Sequence, residues 1–263
     1  MTITTNNIYN MDCVDGMKML SCESIDLIVT SPPYDDLRTY NGYSWDFQAV
    51  ANEIFRVMKP GGVVVWVVND ATTSGSESGS SFKQALYFKN IGFNLHDTMI
   101  WVKDGGGAVG SRYCYSQNFE FMFVFSKGKP KAVNLICDKP NRSFGQDKSG
   151  AGRRKKSGEV RIRNRKPASP FSKRNNWWYI PPQKGGDHPA VFPERLAEDH
   201  IRTWSNPGDI ILDPFMGSGT TGKMALLNKR KYIGFEISEQ YCKLAKKRIS
   251  DAFEQSAQIE FEV

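Results

Sequence analysis

Histidine is scarce in this chain and cysteine is scattered: three of one and five of the other among 263 residues. His96, His188 and His200 stand far apart, and none of Cys13, Cys22, Cys114, Cys137 and Cys242 has a partner at CxxC spacing. Zinc sites need clustered ligands and disulfide frameworks need recurring spacings, so the pattern points to no metal and to structural histidines. No apolar run reaches membrane length, and Met1-Thr2-Ile3-Thr4 does not open a basic, apolar leader. The expectation is a cytoplasmic protein without membrane association.

Acidic residues are few between positions 127 and 174, with three Asp and Glu against sixteen Lys and Arg, whereas the remainder carries nineteen basic and twenty-five acidic residues. A mildly acidic body therefore bears one basic segment. A solvated loop is the plain reading of that segment. Flanking aromatics make polyanion binding the functional one.

What is present follows an α/β layout. Residues 8–13 read as a first strand ending at Asp12-Cys13, followed by a short helix over 14–20, and residues 25–30 as a buried strand. Apolar residues at helical spacing over 46–58 stop at Lys59-Pro60-Gly61-Gly62, and the β-branched run 63–68 is a strand buried on both faces. Residues 35–43 read as a mobile surface loop, the Ser/Gly-rich stretch 72–81 as an exposed loop, and 82–90 as a helix. Strands over 93–102 and 119–125 flank a glycine loop at 104–107. Residues 128–176 lose all periodicity, packed structure returns at Trp177-Trp178-Tyr179, and Pro193 opens a helix running to Trp204. A strand over 209–213, a helix over 220–227, a strand over 231–236 and an amphipathic helix over 238–253 complete the chain. This alternation predicts a doubly wound, mostly parallel, Rossmann-like sheet. Residues 1–127 and 177–263 are its two halves, and 128–176 is a basic insertion.

Two stretches carry the chemistry. In Thr30-Ser31-Pro32-Pro33-Tyr34, two prolines cannot continue a central strand, because each lacks an N–H and fixes φ. A hydroxyl, a rigid carbonyl and an aromatic ring therefore gather at the carboxyl end of a strand, where open α/β sheets bind ligands. A planar nucleobase amine can donate to the Ser31 hydroxyl and to the Pro32 carbonyl while Tyr34 stacks on the ring. A proline-stiffened turn is the alternative.

The second stretch is Asp213-Pro214-Phe215-Met216-Gly217-Ser218-Gly219-Thr220-Thr221-Gly222, with GxGxxG spacing between a strand and a helix. Glycine permits a tight turn and close ligand approach, and the helix N-terminus favours an anionic group. Glu236 ends the next strand, placed to accept from ribose hydroxyls. Alone, this reads as nucleoside-cofactor binding and leaves NAD or FAD open. A carboxylate just before the turn repels a pyrophosphate but suits an α-ammonium, which favours S-adenosylmethionine.

Together, in this order, the two stretches resemble the amino-methylating DNA methyltransferases of the β arrangement, with catalytic motif first, target-recognition region in the middle and cofactor motif last. The resemblance covers nearly the whole chain outside the basic insertion. It implies an S-adenosylmethionine-dependent, metal-free enzyme acting on double-stranded DNA, cytoplasmic, of bacterial, archaeal or phage origin, and compatible with a homodimer. Ser31, Pro32, Pro33 and Tyr34 match the catalytic motif. Asp213, Pro214, Phe215, Gly217, Ser218, Gly219, Thr220 and Thr221 match the cofactor motif. Thr30 adjoins it, Asp12 with Cys13 matches the adenine contact, Glu236 with Ile237 the ribose contact, and His188 lies in the segment closing the methionine pocket. Arg153, Arg154, Lys155, Lys156, Arg161, Arg163 and Arg165 are the expected DNA contacts. Many adenine-specific members have Asp where Ser31 stands; Ser-Pro-Pro-Tyr leans toward the N4 amine of cytosine. The same grip suits the N6 amine of adenine, or an amine in RNA or protein.

Overall fold

A computed structural model of the chain describes residues 2–33, 45–103, 115–146, 152–154, 156–162, 168–182 and 193–261. Of the features singled out above, the 35–43 and 104–107 loops, Tyr34, Lys155, Arg163, Arg165 and His188 lie outside the described residues.

The chain divides into two compact units. The larger comprises residues up to 134 and from 176 onward; the smaller is Leu135–Asn175. The larger is built on an eight-stranded sheet. Its strands are β1 (Asn7–Asn10), β2 (Ile25–Thr30), β3 (Met58–Val68), β4 (Asn94–Val102), β5 (Phe119–Ser126), β6 (Trp177–Tyr179), β7 (Ile210–Asp213) and β8 (Lys231–Glu236). The spatial order is β1-β8-β7-β2-β3-β5-β4-β6. β5 pairs antiparallel with both neighbours, and every other pairing is parallel. Helices α1 (Cys13–Lys18), α2 (Phe47–Val57) and α3 (Ser80–Asn90) belong to the first half, and α4 (Glu194–Trp204), α5 (Thr220–Leu227) and α6 (Glu239–Phe261) to the second. The doubly wound, mostly parallel sheet is as the alternation predicts.

Alternation along the buried strands divides the core. Leu27, Val29, Val63, Val65 and Val67 pack with Leu196 and Ile201 of α4, Ala225 of α5 and Ala245 of α6. Ile28, Val64 and Trp66 pack on the other side with Met17 of α1, Val50 and Ile54 of α2 and Phe88 of α3. At ~1.5–3 kcal/mol for each large buried side chain, these two clusters hold the sheet rigid and its strand ends in fixed register.

Several element bounds differ from expectation for identifiable reasons. β3 starts at Met58, because the helix-stopping Lys59-Pro60-Gly61-Gly62 enters the sheet as an irregularity. The ladder to β2 jumps register between Ile25 and Leu27, and Gly61 takes φ +82°. α3 begins at Ser80 because buried Asp70, ten residues upstream, accepts from Ser81 N at 2.9 Å and Ser81 Oγ at 2.5 Å. The exposed stretch before it folds back as a short hairpin, Thr72–Thr73 against Ser76–Glu77. α6 runs to Phe261, eight residues past the end of the apolar pattern, through a Glu/Gln/Ala-rich stretch without a breaker.

In the smaller unit, Lys139–Pro140 pairs with Phe171–Ser172, and Gly152–Arg154 pairs with Val160–Ile162. Arg174 makes a bidentate bond to Asp138.

Candidate active site

The direction of winding changes between β2 and β7. From β2 the chain passes through α2 to β3 on one side, and from β7 through α5 to β8 on the other. Strand ends splay apart at such a switch point and leave a crevice. Ile211 and Leu212 pair with Leu27 and Ile28, which brings Thr30 and Asp213 to its floor.

There the two motifs meet. Thr30 Oγ1 donates to Asp213 Oδ1 at 2.6 Å across 183 residues of sequence, and Phe215 N donates to the same oxygen at 3.0 Å. Thr221 Oγ1 donates to Val29 O at 3.1 Å, tying α5 to β2. Ser31, Pro32 and Pro33 follow directly from this clamp, with Pro32 buried and Ser31 and Pro33 half-buried.

Asp213 is 2% exposed. Burial pushes its carboxyl up to about 6, against the lowering effect of donors from Thr30 and Phe215, and the Glu236 carboxylate adds to the rise. No Lys, Arg or His among the described residues forms an ion pair with it. A buried carboxylate without an ion-pair partner among the described residues is costly by itself and suits a ligand that brings a cation.

Glu236 is also lifted by burial, opposed by backbone donors. Its two oxygens accept from Gly217 N and Ser238 N, each at 2.8 Å, so the acid ending β8 shapes the glycine turn directly. Gly217 and Gly219 take φ +51° and +86°, the left-handed region that favours glycine. Gly219 caps α5 without a side-chain hydrogen bond, leaving the helix N-terminus open to an anion. Two glycines of the motif also serve packing. A Cβ on Gly219 would lie 2.9 Å from Cβ of Ala245, and one on Gly222 would lie 2.9 Å from Cδ1 of Ile249, so both make room for α6.

Asp12 and Cys13 sit just beyond β1, whose Asn10 pairs with Glu236 and donates from Nδ2 to the carbonyls of Glu236 and Ile237 at 2.9 Å. Asp12 is exposed and caps α1 through Val14 N and Asp15 N. Ile237 is 41% exposed. Cys13 is buried, and burial pushes its thiol up to about 12, which leaves no nucleophile there. Pro214, Ser218, Thr220 and Thr221 are buried, and Phe215 is half-buried.

Sequence reasoning missed three side chains at this site. Trp45 packs edge-on against Phe215 at 5.1 Å; an aromatic just before the α2 N-cap Asp46 is a recognisable local signal. Arg248 binds the glycine turn and Glu194 binds Arg248, and neither has a local signature. Of the expected DNA contacts, Arg153 lies opposite Arg161 in the register of the hairpin in the smaller unit, with Arg154 opposite Val160, and Lys156 is exposed.

A family model described as DNA methylase matches residues 25–247. The chain belongs to the DNA methylase family, whose members methylate amino groups. It is 56% identical over 238 residues to the orphan methyltransferase M.BamHII of Bacillus amyloliquefaciens, covering 87% of this chain and 89% of that one. It is 29% identical over 270 residues to the DNA adenine methyltransferase YhdJ of Escherichia coli K12, covering 95% and 85%. The crystal structure of the M1.HpyAVI–SAM complex superposes with a TM-score of 0.62 at 26% identity, covering 92% of this chain and 98% of that one.

Other groups of this DNA methylase are structural. His200 is buried and neutral, its pKa pushed down to about 3 by burial, with its ring 4.5 Å from Trp178. His96 packs edge-on against Trp204 at 5.3 Å. Among the described residues, no cluster of His, Cys, Asp and Glu could hold a metal ion, and no helix is long and apolar enough to cross a membrane.

Proposed function

We propose that the chain transfers the methyl group of S-adenosylmethionine to the exocyclic N4 amine of a cytosine flipped out of duplex DNA. The observation that carries this reading is the Thr30–Asp213 hydrogen bond, which joins the catalytic strand end to the cofactor turn.

The residues fit the cofactor. Asp213, buried and without an ion-pair partner among the described residues, takes the α-ammonium; the uncapped N-terminus of α5, at Thr220 and Thr221, takes the carboxylate. Glu236 accepts from the ribose hydroxyls with the lone pairs that Gly217 and Ser238 leave. Asp12 meets the adenine edge, Cys13 lies beside it in the core, and Ile237 and Phe215 offer apolar faces. Bound here, S-adenosylmethionine supplies a methyl already activated on a positive sulfur.

The chain's own task is then alignment. Flipping the base costs a few kcal/mol, recovered by stacking on Tyr34 and by bonds to its edge. Ser31 Oγ and the Pro32 carbonyl accept the two amine hydrogens and draw the nitrogen out of conjugation, so that its lone pair faces the methyl carbon. As the N–C bond forms, the C–S electrons stay with sulfur, and the same acceptors stabilise positive charge developing on nitrogen until its proton leaves to water. His188 belongs to the segment that closes the methionine end.

Ser31 in place of Asp favours cytosine. The N6 amine of adenine is the second reading, favoured by the 29% identity to a protein named an adenine methyltransferase. The basic smaller unit, with Arg153, Arg154, Lys155, Lys156, Arg161, Arg163 and Arg165, is the proposed target-recognition insertion.

Incorporation of labelled methyl into duplex DNA and into RNA, measured across a salt series, tests this reading. Transfer to duplex DNA is expected, with Arg153→Glu/Arg154→Glu flattening the salt dependence by about two phosphate contacts. Transfer to RNA alone, or an unchanged slope, contradicts it.

A further inference from the structure

The glycine turn is gripped from outside the two motifs. Arg248 on α6 donates from Nη1 to Ser218 O at 2.6 Å and to Ser218 Oγ at 2.7 Å, and from Nη2 to Glu194 Oε1 at 3.2 Å. Glu194 opens α4 and also accepts from Lys223 Nζ on α5 at 2.7 Å. One half-buried carboxylate thus orients two cations, and one of them binds the middle of the turn.

The position of Ser218 makes this grip consequential. It is flanked by Gly217 and Gly219, both at positive φ, so the peptides on either side lack the steric restraint that a Cβ provides. The Ser218–Gly219 peptide is held at both ends: its N–H donates to Met216 O at 2.9 Å, and its carbonyl accepts from Arg248. Arg248 commits the Ser218 carbonyl to α6, one helical turn beyond the Ala245 against which Gly219 packs. Three acceptors on two guanidinium nitrogens need the planar fork of arginine, which the single ammonium of lysine does not reproduce.

We propose that Arg248 is a positioning residue for the amino-acid end of the cofactor: by holding the Ser218 carbonyl against α6, it keeps that carbonyl from facing the cofactor carboxylate. This inference rests on the cofactor reading above. It assigns Glu194 the role of orienting Arg248, and it predicts that disturbing the grip weakens recognition of the carboxylate without weakening recognition of the nucleoside.

Two probes separate these effects in the full-length chain. S-adenosylhomocysteine carries the amino-acid end, and 5′-methylthioadenosine carries the same nucleoside without it. By titration calorimetry, Arg248→Gln is expected to weaken S-adenosylhomocysteine about tenfold or more, while 5′-methylthioadenosine stays within about twofold. Arg248→Lys recovers part of the loss. Glu194→Gln, which leaves Ser218 its guanidinium partner, shows a smaller loss in the same direction and serves if Arg248→Gln does not fold. Proportional weakening of both probes marks a merely structural staple and overturns the inference, as does an unchanged ratio. Failure of the wild-type chain to bind S-adenosylhomocysteine overturns the cofactor reading itself, and this inference with it.

Discussion

Asp213→Asn is expected to raise the stability of the ligand-free protein while removing most of its affinity for S-adenosylmethionine. The amide keeps an oxygen able to accept from Thr30 and Phe215, so the clamp between β2 and β7 survives. What changes is charge. The carboxyl sits at about 6 in the folded chain because of burial, above its ordinary 3.8. Between those values the folded state holds more protons than the unfolded one, so stability falls as pH rises and is lowest, with respect to this group, above the folded value. At neutral pH the ionised side chain therefore opposes folding by an amount on the order of 1–3 kcal/mol, which asparagine does not.

In thermal melts the ligand-free variant should unfold a few degrees higher than wild type, at roughly 2–4 °C per kcal/mol for a chain of this size. Added S-adenosylhomocysteine should raise the wild-type midpoint and leave that of the variant nearly unmoved. An uncompensated ligand ammonium corresponds to an affinity loss of about a hundredfold or more. For wild type, affinity should decline as pH falls through about 6, where Asp213 takes up its proton. A variant less stable than wild type that still binds tightly contradicts the assignment.

The second large effect falls on turnover. Ser31→Ala removes one of the two proposed acceptors for the target amine and leaves buried Pro32 and the Thr30–Asp213 bond in place. Loss of one aligned acceptor for developing charge typically lowers the chemical step by about 10²–10³. Single-turnover transfer should fall by that order with cofactor affinity within about twofold of wild type. Equal rates would remove Ser31 from the mechanism. Together the two substitutions divide the crevice into an amine side and an ammonium side.

Much of this arrangement is legible in the sequence because its signals are local. β2, α5 and β8 have the expected bounds: β2 runs into the Ser-Pro-Pro turn, α5 starts at the Gly219 cap, and β8 ends in an acid. Their order, with the helical crossovers, also specifies the switch point at which Thr30 and Asp213 meet. What escapes depends on partners remote in sequence. Pro60 and Gly61 stop a helix locally, yet Met58–Gly62 joins the sheet because β2 offers a ladder to it. Asp70 lengthens α3 from ten residues away. β6, three residues long, exists only through pairing with β4. Within the site, GxGxxG spacing announces a turn but does not reveal that Gly219 and Gly222 yield space to α6. Arg248 reaches Ser218 across 30 residues, where no spacing rule points to it.

The account stands on the convergence of an amine-gripping strand end with a cofactor turn in one crevice, and the methylated nucleoside itself reports on it most directly. DNA treated with the purified chain and S-adenosylmethionine, digested to nucleosides and resolved by mass spectrometry, should contain N4-methylcytosine. N6-methyladenine would keep the crevice and its chemistry and change the base. Methyl on carbon 5 of cytosine would contradict the account, because that reaction attacks through a ring carbon and has no use for paired acceptors of an exocyclic amine.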